Sequence, residues 1–340
     1  MKKYRSVLVF VLAFAMAAAL ASLVACSGGS QQSAPTKDAL SVSAEPADDA
    51  EEQSSSDDPQ VKLRTDPFWV MVVGDDRREG TVGLRGQYAD GKGRSDTLML
   101  VRVDPKNYKL TLVTVPRDTQ AWYEGEKCKI NETYHKGGID ALKQAVADLT
   151  GVEADYYLIT TFVSFQNLID DMGGLVIDVP IDEAMQDVVT GHLVEFSAGE
   201  QQTLDGKEAL VFARERHAYE AYDGNLQEAY RQTNDRYILT TMIQQILSDT
   251  PDKVGENVEA LLKNFETDWD TAEVVAYAKD FCAHRDKIEY LSGTGPYNGD
   301  IDPEIELWLA YRDEDTWARV IEHVNEGGDP QDIITIKSVW

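Results

Sequence analysis

Histidine and cysteine are scarce in this 340-residue chain, which holds five of the first and three of the second. So few thiols cannot build a disulfide scaffold, and no Cys-x-x-Cys or His-x-x-x-His spacing marks a zinc site. Redox and zinc chemistry are disfavoured on both counts. Basic residues are also in deficit, with 32 Lys and Arg against 60 Asp and Glu for a formal net charge of -28. That balance argues against a broad attraction to nucleic acid or to an anionic bilayer, so a polyanionic ligand needs a local basic pocket. Long hydrophobic runs are missing except at the start, and there is no internal repeat. What is present, 43% hydrophobic and 27% charged residues, is ordinary for a globular protein with a buried core.

The N-terminal segment reads as an address rather than as part of the fold. Lys2, Lys3 and Arg5 precede an apolar run from Val7 to Leu20, and small residues lead into Leu23-Val24-Ala25-Cys26. This pattern is similar to a lipobox, in which the segment is cleaved before the cysteine. The new N-terminal Cys26 then carries acyl chains that hold the protein on the outer face of a bacterial cytoplasmic membrane. The rival reading is an uncleaved membrane helix, since Val7 to Ala25 is 19 residues long, near the minimum span. The placement of a cysteine after Val-Ala favours the lipoprotein. Ser27 to Gln60 carries eight acids, one lysine and almost nothing able to build a core, which is the composition of a flexible tether reaching about 30 Å. The expected organisation is a signal at 1–25, a tether at 26–60 and an extracytoplasmic domain at 61–340.

From Val61 the pattern alternates between strands and helices. Phe68 to Val73 is an apolar run that stops at Gly74, followed by the charged loop Asp75-Asp76-Arg77-Arg78. Leu98 to Val103 and Leu110 to Val115 are β-rich runs joined by a turn-rich connection of hairpin length, so they are expected to be neighbours. Residues 139, 142, 146 and 149 are apolar at helical spacing after Gly137-Gly138. Tyr156 to Thr160 reads as a strand, Phe162 to Met172 as a helix and Leu175 to Val179 as a strand. This rhythm indicates an α/β/α layered domain with a central sheet flanked by helices.

Polar clusters sit at the ends of these elements. If the second and third strands form a hairpin, the start of one lies beside the end of the other, which brings Asp96 and Arg117 together. A structural ion pair and a functional rim are both consistent with that. Arg214 and Arg216 stand two apart; on an extended segment they would face the same way and suit a diphosphate, whereas on a helix they would diverge. They could equally be solvated arginines balanced by Glu208 and Glu215. A helix from about Leu226 to Leu247 places Arg231, Asp235, Ile238, Met242 and Ile246 on one stripe. Charges at the end of an apolar face suit the mouth of a pocket for an amphiphile, although such a stripe is also what a core face looks like.

Taken in order, Gly74-x-Asp76-x-Arg78, Arg94-Ser95-Asp96-Thr97, Pro116-Arg117-Asp118-Thr119, Lys129-Ile130-Asn131 with Gly137-Gly138, Gly173-Gly174, Leu204-Asp205-Gly206 with Ala209-Leu210, Arg214-x-Arg216 and Arg231 resemble the LytR-CpsA-Psr family. The resemblance covers Phe68 to about Leu247 closely and continues more loosely to about residue 325. It implies a mixed sheet between helices, a polyprenyl pyrophosphate in an apolar pocket, and transfer of a lipid-linked glycopolymer such as a teichoic acid or capsule polysaccharide onto peptidoglycan as a phosphodiester. By motif, Asp76 and Asp96 would hold Mg²⁺ or Mn²⁺, and Arg117, Arg214, Arg216 and Arg231 would clamp the pyrophosphate, with Arg78 in support. On the stripe of the long helix, Asp235 would stand at the mouth beside the diphosphate, and Ile238 and Met242 would line the path of the lipid tail. No covalent nucleophile is needed, and either aspartate could accept the acceptor's proton.

Three features depart from the family pattern. A lipobox stands where many members carry a membrane helix, and the loop from Gly80 to Gly93 leaves Asp75 as a substitute for Asp76. Asp235 replaces the usual glutamine four residues after the arginine matching Arg231; its charge would repel a diphosphate unless it pairs with Arg231, the favoured solution, or joins the metal. A metal-dependent pyrophosphatase and a non-catalytic binding protein are the alternatives to the transferase. His135 and His217 lie near the motifs without a role assigned, a Cys128–Cys282 disulfide is left open, and the acidic region containing Trp308 and Trp317 is ordinary domain structure with a glycan contact as a further option.

Overall fold

The computed structural model describes residues 61–77, 92–220 and 227–336, all within the unit that runs from Pro59 to Trp340. Cys26, the signal, the tether and Arg78 lie outside the described residues. In chain order the strands are β1 (Phe68–Asp75), β2 (Ser95–Asp104), β3 (Lys109–Thr114), β4 (Gln120–Tyr123), β5 (Glu126–Lys129), β6 (Tyr156–Thr161), β7 (Leu175–Val179), β8 (Glu183–Gln186), β9 (Leu193–Phe196), β10 (Gly199–Leu204), β11 (Glu266–Thr267), β12 (Glu289–Thr294), β13 (Gly299–Asp302) and β14 (Leu307–Ala310). The helices are α1 (Ile130–Thr150), α2 (Phe162–Asp171), α3 (Gly206–Arg214), α4 (Gln227–Ile246), α5 (Pro251–Leu262), α6 (Thr271–Ala283) and α7 (Glu314–Asn325).

The central sheet has six strands in the order β11-β6-β1-β2-β3-β12. It is mixed: β1 runs antiparallel to β2 and parallel to β6, while β3 runs antiparallel to β2 and parallel to β12. The expected β2–β3 hairpin is present, with Met99 opposite Thr114 and Asp104 opposite Lys109. Side chains alternate across a strand, and because β1 to β3 are apolar at successive positions they bury both faces. On one face Met71, Val73, Leu98, Leu100 and Val113 pack with Leu142 and Val146 of α1 and Trp317 and Val320 of α7. On the other, Phe68, Val70, Met99, Val101 and Leu112 pack with Val254 of α5 and Tyr277 and Phe281 of α6. A third cluster joins α2, β7, α3 and α4 through Leu168, Ile177, Phe212 and Ile238. Shortening a fully enclosed side chain such as Leu100 or Leu112 would cost about 2 to 5 kcal/mol.

Some expectations shift. The helix read from Ile139 is present as the second part of α1, and a helical stretch from Ile130 precedes it across a break at Gly138, whose φ of 71° and ψ of -160° are unsuited to side chains other than glycine's hydrogen. The buried residues before the break include Asn131 and Thr133, so that stretch carries no apolar period to read. The Leu204-Asp205-Gly206 motif has a structural reason: Asp205 and Glu208 form a capping box on α3, and a Cβ at Gly206 would lie 2.2 Å from the Gln166 carbonyl oxygen. Cys128 and Cys282 are both buried and free, in clusters on opposite faces of the sheet, so no disulfide joins them. Trp317 is sealed in the core and is corrected from the glycan option, whereas Trp308 is exposed. Among the described residues no helix is long and apolar enough to cross a membrane.

Candidate active site

The strand ends build the rim of the site. Gly74 pairs with Thr97 and Asp75 with Ser95 across a register shift, so the end of β1 meets the start of β2. The Val115 N–H donates to the Leu98 carbonyl at 2.9 Å, which sends residues 116–119 out along the same rim. Arg117 Nη1 consequently lies 2.6 Å from Asp96 Oδ1, the contact that the hairpin argument requires. Asp76 sits one step along, its N–H donating to the Arg94 carbonyl and its Oδ1 accepting from the Arg94 N–H at 2.6 Å. Asp75 is fully buried, with Arg77 2.6 Å and the Tyr134 hydroxyl 2.9 Å from its Oδ2. The Asp75 carboxylate is thus already engaged by a guanidinium and a hydroxyl.

Helix α4 supplies the other wall. Arg231 is buried and fully engaged: Nη1 lies 3.0 Å from Asp235 Oδ2, Nη2 donates to the Asp96 carbonyl at 3.0 Å, and Nη2 lies 2.7 Å from Glu228 Oε1. Asp235 also accepts from the Thr97 hydroxyl at 3.0 Å. The intrahelical pair favoured from sequence therefore forms, and a bond from β2 reinforces it. Burial pushes the Asp235 carboxyl up, and the Arg231 charge and the Thr97 bond offset this only in part, leaving it at about 6.

Glu228 is the functional residue that sequence reasoning missed. Its carboxylate lies 3.2 Å from Arg117 Nε, 2.7 Å from Arg231 Nη2 and 4.0 Å from Arg216 Nη1. Burial works against its charge, but the guanidiniums of Arg231 and Arg117 overcome that and hold the carboxyl at about 2. The i, i+3 spacing from Glu228 to Arg231 is a visible signal, but the second guanidinium, Arg117, comes from 111 residues away. Conversely, Arg231 is held strongly in the charged state: burial opposes it, and Glu228 and Asp235 reverse the effect.

Arg214 and Arg216 do not form a straight parallel pair. Arg214 ends α3, with its guanidinium 5.2 Å from the Phe162 ring and Nη1 3.6 Å from Met185 Sδ. Arg216 follows in a non-helical segment and leaves 44% of its side chain exposed. Both still converge on the mouth, Arg214 from inside the cleft and Arg216 from its edge.

The mouth opens into a cleft that passes from Asp96, Thr97, Arg214 and Arg231 to Phe165, Ile238 and Met242. Val72, Leu168, Leu239, Met242 and Phe265 also line a second space, which continues between the sheet and α4 to α6 and is walled by hydrophobic and aromatic residues. Charge at one end and hydrocarbon along the rest suit an amphiphilic anion. Asp76, buried at the rim, and the partly exposed Asp96 offer hard oxygen donors, the chemistry that suits Mg²⁺, with water or phosphate completing the shell. Among the described residues no three His, Cys, Asp or Glu side chains gather as a metal cluster.

Fold and site define a layered α/β/α domain whose guanidinium-lined mouth opens on an apolar cleft. The chain belongs to the LytR_cpsA_psr family, whose model matches residues 36–311. It is 31% identical over 242 residues to the Bacillus subtilis polyisoprenyl-teichoic acid–peptidoglycan teichoic acid transferase TagV, covering 69% of this chain and 58% of that protein. It is 32% identical over 184 residues to TagU of the same organism, a protein of the same description, covering 53% and 55%. The chain thus spans little more than half the length of these relatives. The crystal structure of B. subtilis TagV superposes with a TM-score of 0.61 at 27% identity, covering 81% of this chain and 100% of that one. A structure of TagT bound to LI-WTA shares the fold, with a TM-score of 0.55 at 18% identity over 82% and 95%.

Proposed function

We propose that the protein is a phosphotransferase that moves a polyprenyl-pyrophosphate-linked glycopolymer, of the teichoic acid or capsule kind, onto peptidoglycan. The observation that carries this reading is the joining of an arginine cage to a long apolar cleft. The prenyl chain lies along Ile238 and Met242, and the diphosphate meets Arg117, Arg214 and Arg231, with Arg216 at the edge. Glu228 already occupies the guanidinium forks as an internal anion, so the diphosphate takes its place and the released carboxylate turns outward. Arg231 keeps Asp235 neutralised throughout, which removes the repulsion that a bare aspartate would exert on the substrate.

In the transfer, a sugar hydroxyl oxygen of peptidoglycan attacks the phosphorus that carries the glycan. The bond from that phosphorus to the bridging oxygen breaks, prenyl monophosphate leaves, and the hydroxyl proton passes to the carboxylate of Asp96 or Asp76. The guanidinium forks stabilise charge on the bridging and equatorial oxygens. Mg²⁺ held by Asp76 and Asp96 would supply further neutralisation of phosphate charge. Acylated Cys26 would keep this head on the outer face of the cytoplasmic membrane, where its donor resides.

The test is reconstituted transfer from a donor labelled in its glycan to polymer-free peptidoglycan. Label that sediments with the wall, with one prenyl monophosphate released per glycan attached, supports the transferase. Soluble phosphorylated glycan without attachment would make it a pyrophosphatase, and tight donor binding without release would make it a binding protein. For the anchor, Cys26→Ser should abolish acyl labelling and processing; unchanged labelling would remove it.

A further inference from the structure

Eight large apolar side chains are exposed among the described residues, and five of them, Trp122, Ile301, Leu307, Trp308 and Tyr311, gather on the β4–β5 and β13–β14 hairpins and the residues just after. Isolated exposed apolar residues need no explanation, but such a gathering marks a contact surface. The aromatic members are 47%, 41% and 54% exposed for Trp122, Trp308 and Tyr311. Trp308 lies against Gly299, where a Cβ would come 2.7 Å from the indole, so the ring rests on the hairpin backbone. Trp122 is held by the Arg312 guanidinium, 5.4 Å from its ring. The two hairpins are tied together by Lys127, whose ammonium lies 3.1 Å from Asp302 and 2.6 Å from Glu304.

This surface is continuous with the candidate active site. The Ala310 N–H donates to the Asp118 carbonyl at 2.9 Å, and Thr119 bridges to Ala310 in a parallel pairing. Asp118 in turn sits 2.6 Å from Lys129 and 3.8 Å from Arg117 Nε. Trp308 and Tyr311, which flank Ala310 closely in sequence, are therefore anchored on the residues that follow the arginine of the mouth.

Charge selects the occupant. Between Asp300 and Asp315 the chain has seven acidic residues and one arginine. Such a strip repels a polyphosphate such as the donor polymer, and equally an anionic lipid surface. It suits an uncharged sugar chain: the C–H face of a pyranose packs on the electron-rich face of an indole or phenol, and carboxylates accept bonds from its hydroxyls. We infer that Trp122, Trp308 and Tyr311 form the docking platform for the acceptor, the N-acetylated glycan strand of peptidoglycan, and lead it to the Arg117 rim. This deepens the transferase reading and rests on it.

The experiment is sedimentation of the full chain with wall sacculi stripped of attached polymer, alongside flotation with phosphatidylglycerol vesicles and the KM for soluble glycan acceptor. Trp122→Ala with Trp308→Ala is expected to weaken sacculus binding and raise the acceptor KM at least tenfold, with the affinity for prenyl pyrophosphate unchanged. Trp308→Tyr should keep most of the binding, and Tyr311→Ser provides an independent exposed variant expected to weaken it at least threefold. Sacculus binding within twofold of wild type in all the alanine and serine variants would overturn the platform, as would a loss confined to vesicles. A wild type that binds sacculi but transfers nothing would sink the transferase reading while leaving the platform standing.

Discussion

Glu228 and Glu183 are the same residue type, both largely enclosed, and they are pushed in opposite directions. Glu228 at the mouth is faced by Arg117, Arg231 and Arg216, and its carboxyl is held at about 2. Glu183 on β8 is buried, neither of its oxygens has a hydrogen-bond partner, and burial together with the charge of Glu215 pushes it up to about 9. Burial disfavours the charge in both cases. What differs is the company, three guanidiniums in one place and a second carboxylate in the other. A buried acid is thus a site for anions only where cations already surround it, and that distinguishes the mouth from the β8 corner.

The largest effect expected from disturbing this contrast is at Arg231. Arg231→Ala leaves Glu228 and Asp235 facing each other without their shared cation, and should lower the stability measured by urea unfolding by about 3 to 5 kcal/mol. Next come the two glutamates. Glu228→Gln should destabilise the protein by about 1 to 3 kcal/mol yet tighten inorganic pyrophosphate binding measured by calorimetry, since the internal competitor is gone. Glu183→Gln should do the reverse and stabilise by about 1 to 3 kcal/mol at pH 7.

The sign of the pH dependence follows from the direction of each shift. Below its ordinary value of 4.5 Glu183 is protonated whether folded or not; as pH rises toward about 9 only the unfolded chain ionises, so wild-type stability falls across that window. For Glu228 the contribution is complete above 4.5 and is lost as pH falls toward about 2. The wild type minus Glu183→Gln difference in unfolding free energy should therefore grow more negative from pH 5 to pH 8. A flat difference would erase the contrast between the two sites.

Smaller effects sharpen the roles at the mouth. Arg117→Ala should reduce transfer at least tenfold, about the value of one charge-assisted contact, and Arg117→Lys should recover little because it lacks the planar fork. Asp235→Gln is expected to change transfer by less than about threefold, since it removes a charge that Arg231 already neutralises; a large loss with a raised Mg²⁺ requirement would make Asp235 a metal ligand instead.

Much of this was legible in the sequence where local spacing decides the outcome. Strands β1 to β3 are apolar at successive positions because both faces are covered, and the turn between β2 and β3 sets the approach of Asp96 to Arg117. The Arg231–Asp235 pair follows from one helical turn. Legibility fails where partners are remote or patterns are short. Glu228 looks like any acid in the first turn of a helix until Arg117 is folded onto it. The four-residue strands β4, β5, β8 and β9 are too short to display a period. Trp308 and Trp317 look alike in the sequence, but one lies on a hairpin surface and the other on the buried stripe of α7.

The most direct measurement is the electron density of the full chain crystallised with a short-chain prenyl pyrophosphate and Mg²⁺. The diphosphate should lie between Arg117 and Arg231 with the prenyl chain along Ile238 and Met242, and Glu228 should have left its three arginines. A diphosphate bound elsewhere, or one bound while Glu228 still bridges Arg117 and Arg231, would contradict the assignment of the mouth as the pyrophosphate site.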